Sequence, residues 1–196
     1  MPASRTLSTA EDRRATVVSS AIATFAHGGF HAVTIADVAR HAGISPAYVS
    51  KLFSSKTQLF TTALEECYRR IKTALERGAE QAENDSPEAL LWAMGGAYAE
   101  LIADRDLLIL QVNSQAAMAE PLIAETVRRG LADITTYVAE RSKADGPAIQ
   151  QFMAFGQLCH LLTVTDAFDT DAEWASLLTE GIRHSAPQRH APERES

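Results

Sequence analysis

TIADVARHAGISPAYVSKLF, residues 34–53, is the stretch whose reading decides the fold. Val38, Ala42, Ile44, Val49 and Leu52 recur at the spacing that lines the inner faces of two short helices. Ala39 is the small residue that a steep helix crossing needs. Gly43, four residues later, tolerates the positive φ of a tight turn. Thr34, with Asp37 three residues on, reads as the N-cap of the first helix. Ser45 caps the second, and Pro46 suits its first turn, where a missing N–H removes no helical bond.

Outward on the second helix remain Ser45, Pro46, Ala47, Tyr48, Ser50 and Lys51, all short, polar or cationic except the tyrosine. Such a surface fits a DNA major groove about 12 Å wide. Two amphipathic helices packed around an ordinary glycine turn would account for the helix–glycine–helix pattern equally well.

Periodicity is helical over nearly the whole chain, so the expected fold class is all-α with about nine helices and no sheet. A first helix is expected from Thr9 to His27, with Ala15, Val18, Ile22 and Phe25 as its apolar stripe. Ser8 and Glu11 have capping-box spacing at its start, and Gly28-Gly29 should stop it. Ser55 followed by Gln58 opens a long helix toward Glu83. Further helices are expected near Pro87–Asp104, Leu107–Ala119, Pro121–Lys143, Pro147–Phe168 and Asp171–His184. The domain division expected is a head at 1–55, a helical body at 56–184 and a disordered polar tail at 185–196.

The chain has 196 residues and a formal charge of −7, but the charge is unevenly spread. Residues 1–72 hold nine Lys/Arg against five Asp/Glu, whereas 73–196 hold nine against twenty. A basic N-terminal segment on an acidic body is the asymmetry expected when one end meets phosphates. No apolar run reaches the roughly 18–20 residues that span a bilayer, and no secretory signal is present, so a cytoplasmic, nucleoid-associated protein is expected. Cys67 and Cys159 have no metal or redox spacing and read as small buried residues. Asp166, Asp169 and Asp171, and His184 with His190, show no ligand spacing either. Cys159 and His160 are adjacent, so they diverge on a helix and make no ready dyad. No phosphate-cradling glycine loop or nucleophile elbow occurs. No enzyme, cofactor or metal site is expected.

RRATVVSSAIATFAHGGFHAVTIADVARHAGISPAYVSKLFSSKTQLF, about fifty residues, closely resembles the N-terminal domain of the TetR family of bacterial repressors. The resemblance rests on Phe25 and Gly29-Phe30, then Thr34 and Ile35 to Ala39. It continues through Ala42-Gly43-Ile44-Ser45, Phe53, Lys56 and Leu59. It implies a three-helix DNA-binding head and a variable ligand-sensing body. Thr34 and Lys56 would then grip phosphates, and Ser45, Pro46, Ala47, Tyr48, Ser50 and Lys51 would face the groove. One departure stands out. Family members mostly carry tyrosine at the position of Ser50, whereas here the tyrosine is Tyr48, with Leu52 ahead of Phe53. The operator sequence therefore does not carry over from better-known members.

The resemblance also implies an inducer cavity in the body and a homodimer bound to double-stranded operator DNA. Candidate cavity residues are Trp92, Met94, Tyr98, Asn113, Met118, Phe152, Phe155 and His160; for each, packed core or solvated surface is the competing reading. Gly95-Gly96 in mid-helix signals either a close helix approach or room for a ligand. For pairing, FMAFGQLCHLLTVTDAF (residues 152–168) is apolar around most of its circumference. Phe152, Gly156, Cys159, Trp174, Leu178, Gly181 and Ile182 are the expected interface residues.

Overall fold

A computed structural model describes residues 10–182. All regular structure among them is helical: α1 (Ala10–Ala32), α2 (Ile35–Ala42), α3 (Pro46–Leu52), α4 (Lys56–Glu80), α5 (Pro87–Leu101), α6 (Arg105–Ala116), α7 (Pro121–Ser142), α8 (Gly146–Val164) and α9 (Glu173–Thr179). A single 3-10 turn at Ala167–Asp169 lies between the last two. The all-α expectation and the helix count hold for these residues. Ser8, the tail at 185–196, His184 and His190 lie outside them. None of the described helices is long and apolar enough to cross a membrane.

The chain divides into two compact units. Among the described residues the first takes 10–67 together with Leu110–Arg128. Its core is built on α1, whose buried face is Val17, Val18, Ala21, Ile22, Phe25 and Ala26; Ala15, assigned to that stripe, is exposed instead. Phe25 and Phe30 both meet Phe60 edge-on, with centroids 4.8 and 5.2 Å apart. That geometry matches the ring quadrupoles, and each buried aromatic contributes on the order of 1.5–3 kcal/mol.

Gly28-Gly29 interrupts the helical backbone where a stop was expected, although one further turn follows. The helix bends at Gly29 (φ 69, ψ 171) and runs one more turn to Ala32. The neighbouring glycine is required by space: a Cβ at Gly28 would lie 2.6 Å from Val33 Cγ2.

Among the described residues the second unit comprises Tyr68–Ile109 and 129–182. Within it α4 and α5 approach at Gly78, where a Cβ would sit 2.8 Å from the Ala93 carbonyl oxygen. Of the Gly95-Gly96 pair, read as either a close approach or room for a ligand, a Cβ at Gly95 meets Phe152 Cε2 at 3.7 Å, an ordinary contact. α5 packs on α8. α8 stops at Val164 rather than Phe168, because Asp166 takes a left-handed backbone (φ 50) that breaks the helix. α9 is likewise shorter than the Asp171–His184 segment expected, ending at Thr179 ahead of Gly181, whose φ is 76.

Candidate DNA-binding surface and ligand-sensing body

The α2–turn–α3 segment is built as its residue types require. Thr34 Oγ1 accepts from the Asp37 N–H at 3.2 Å, while the Asp37 carboxylate accepts from the Thr34 N–H at 2.9 Å, closing a capping box. The Thr34 hydroxyl also donates to Asp37 Oδ2 at 2.6 Å. These bonds from Thr34, with the Arg40 guanidinium, hold the Asp37 carboxyl below the usual carboxylate range. Gly43 adopts φ 68 and ψ 29, the left-handed turn expected of it, with open space around its missing Cβ. Ser45 Oγ accepts from the Tyr48 N–H at 3.2 Å to start α3.

Val38, Ala39 and Val49 are fully buried. Ala42, Ile44 and Leu52, expected inside with them, are only half-buried. Phe53 fills the core in their place, because the chain is extended there (φ −135) and turns its side chain inward.

Of the residues expected to face DNA, Ser45, Pro46, Ala47, Ser50 and Lys51 are exposed along α3, and α3 carries no acidic residue. Tyr48 is half-buried and lies beneath the Arg13 guanidinium, 5.6 Å from ring centroid to Cζ. Arg14 donates to the Leu52 carbonyl at 3.3 Å and stacks on Phe53, with Cζ 4.4 Å from the centroid. Sequence reasoning passed over both arginines; the available signal was a basic pair one turn ahead of the buried stripe of α1.

Thr34 and Lys56, for which the resemblance implies phosphate-gripping roles, also bond within the protein. The Thr34 hydroxyl proton is directed at Asp37. Lys56 Nζ donates to the carbonyls of Phe30 (2.8 Å) and His31 (3.3 Å) and sits 4.6 Å from the Phe30 centroid. It caps the end of α1, where carbonyls lack helical partners and a cation is favoured.

The eight residues expected to line a cavity fall in both units. Asn113 belongs to the first unit, where its Nδ2 donates to the carbonyls of Phe25 (3.0 Å) and Ala26 (2.8 Å). An amide is used there because the bend at Gly29 interrupts the carbonyl ladder of α1. Met118 also lies in the first unit and is exposed. In the second unit Met94 is core, whereas Trp92 and Phe155 are largely exposed.

Tyr98, Phe152 and His160 do lie on the packed pair α5 and α8. The Tyr98 hydroxyl and His160 Nε2 share a hydrogen bond of 2.7 Å. His160 is 5% exposed, its Nδ1 has no partner, and burial pushes its pKa down to about 4.

The expected interface residues divide in the same way. Cys159 is buried, its thiol pKa raised by that burial; Phe152, Gly156 and Ile182 are half-buried. Trp174, Leu178 and Gly181 are exposed. Phe155, Leu161 and Val164, within the 152–168 stretch read for pairing, and Leu177 of the last helix join them as exposed apolar positions of α8 and α9. No group of three or more His, Cys, Asp or Glu side chains among the described residues is placed to hold a metal.

Residues 17–63 match the family model described as bacterial regulatory proteins, tetR family. No curated protein sequence matches. The fold is similar to that of the fatty acid degradation regulator FadR from Bacillus halodurans. The TM-score is 0.67 at 16% identity, covering 88% of this chain and 97% of that one. It is also similar to FadR from Bacillus subtilis, solved in complex with stearoyl-CoA, with TM-score 0.62 at 15% identity, covering 84% and 93%. A TetR-family member from Streptomyces coelicolor A3 gives 0.67 at 19%, covering 88% and 99%. Residues 17–63, with α2 and α3 as their helix-turn-helix, are thus similar to the bacterial regulatory proteins of the tetR family.

Proposed function

We propose that this chain is a transcription regulator of the tetR family that binds a palindromic operator as a homodimer and represses transcription until a small molecule enters the second unit. The observation that carries the DNA half is the outward face of α3: Pro46, Ala47, Ser50 and Lys51 exposed together, free of carboxylates, on a basic head. Two heads related by a two-fold axis give such a short helix two half-sites to recognise.

Pairing is supported by the exposed apolar side chains of α8 and α9. Leu177 is 69% exposed, Leu161 54%, Trp174 50% and Phe155 49%. Apolar exposure of this kind marks an interaction surface. A second copy matches it best, because a two-fold interface needs only a self-complementary patch.

The ligand half rests on Tyr98 and His160. A buried imidazole kept neutral, with one nitrogen unpartnered, is suited to a hydroxyl or carbonyl on an otherwise apolar ligand. The stearoyl-CoA of the Bacillus subtilis structure is a ligand of that protein, and it makes long-chain acyl compounds the first class to screen here.

The test is binding of the purified chain to duplex DNA from upstream of its own and adjacent genes. Affinity should fall steeply with salt and drop when a long-chain acyl compound that also raises the melting temperature is added. Absence of salt-sensitive binding to any of these duplexes would refute the proposal.

A further inference from the structure

On the surface of the first unit, Arg13, Thr16, Ile44, Ser45 and Tyr48 line an open depression of about 530 Å³. Its chemistry is one-sided. Arg13 is exposed and forms no ion pair among the described residues, although Glu11 and Asp12 are close in sequence. Its guanidinium lies over the Tyr48 ring, 5.6 Å from the centroid. Stacking fixes a planar cation while leaving its N–H edge free to donate. The Ser45 oxygen accepts the Tyr48 N–H, so its own O–H remains available, as does the Tyr48 phenol. Thr16 is different: its hydroxyl donates to the Asp12 carbonyl at 2.9 Å, so it serves as wall. No carboxylate lines the depression.

We infer that Arg13, held on Tyr48, grips a backbone phosphate of the DNA duplex whose major groove α3 enters, with the Tyr48 and Ser45 hydroxyls completing the site. A phosphodiester fits because it offers two anionic oxygens to a guanidinium edge and to hydroxyl donors together. Tyr48 and Ser45 are α3 residues, so the clamp fixes how that helix is seated. It would add, from α1, a backbone contact beyond any made by Thr34 and Lys56, which also bond within the protein. Contacts to phosphate set register and orientation without reading bases. The inference rests on DNA engagement by the head.

Two fluorescently labelled duplexes of about 30 base pairs, one from upstream of the gene and one of scrambled sequence, would be titrated at several salt concentrations. For Arg13→Ala, log affinity against log salt should flatten by about 0.9 for each head engaged, with about ten-fold weaker binding to both duplexes near 100 mM salt. Tyr48→Phe keeps the platform and should retain the slope while weakening binding. Tyr48→Ala removes the platform, so adding Arg13→Ala to it should cost much less than Arg13→Ala costs alone. Melting temperatures of all variants, followed by circular dichroism, should stay close to wild type for Arg13→Ala and Tyr48→Phe. An unchanged slope in Arg13→Ala, or losses that simply add in the double variant, would overturn the clamp while leaving DNA binding intact. Failure of the wild-type chain to bind either duplex would overturn both.

Discussion

The Asn113 side-chain amide donates to the Ala26 carbonyl at 2.8 Å, bonding the C-terminal part of α6 to the last straight turn of α1. The same nitrogen reaches the Phe25 carbonyl at 3.0 Å. Both acceptors lie just ahead of the bend at Gly29. Asn113→Leu keeps the volume and removes both bonds, leaving two part-buried carbonyls short of a donor. The cost should be roughly 1–3 kcal/mol, lowering the melting temperature by several degrees. Thermal unfolding checks this, and an unchanged melting temperature would show that water replaces the amide without loss.

Lys56 separates a structural cation from a DNA-contacting one. Lys56→Met retains the apolar stem over Phe30 but abandons the Phe30 and His31 carbonyls. We expect a stability loss of about 1 kcal/mol, with the salt slope of DNA binding unaltered. A flattened slope at wild-type stability would restore Lys56 to the phosphate contacts.

His160 should make stability pH-dependent. Its folded pKa of about 4 lies below the ordinary 6.5, so the fold prefers the neutral ring and the unfolded chain takes up the proton first. Stability is therefore complete above pH 6.5 and declines as pH falls from 6.5 toward 4, by about 3 kcal/mol at most. In the double variant Tyr98→Phe/His160→Leu this component should vanish. Urea midpoints measured across that range would show it, and a double variant as pH-sensitive as wild type would contradict the assignment.

The apolar face of α8 and α9 gives a direct assay of pairing. Leu161→Glu and Leu177→Glu each place a carboxylate where an exposed leucine stands, so the folded chain tolerates them. Sedimentation equilibrium should show wild-type dimers and largely monomeric variants with helical content preserved. Variants that remain dimeric would put the interface elsewhere.

The helix-turn-helix was legible because its constraints are local. Thr34 to Asp37, Gly43 and Ser45-Pro46 act over three or four residues, and the structure satisfies each one. Phe53 displaced Leu52 from the core because one extended residue after α3 reverses which side chain turns inward, and helical periodicity cannot register that. The body was less legible for a different cause. Trp92, Met94, Asn113 and Phe155 are all suitable lining residues by type, but burial and partner depend on contacts distant in sequence. Asn113 meets carbonyls 87 and 88 positions away. Lys56 likewise meets carbonyls 25 and 26 positions back, so a motif position alone could not reveal its bonds.

A helix as short as α3, seven residues, would hardly form by itself in water. Ser45 closes its first turn and Arg14 takes up the Leu52 carbonyl at its last, so its order is already in place before DNA arrives. Association therefore bears no folding entropy for the reading helix. Substitutions on the outward face should therefore act on contacts with DNA rather than on the helix itself.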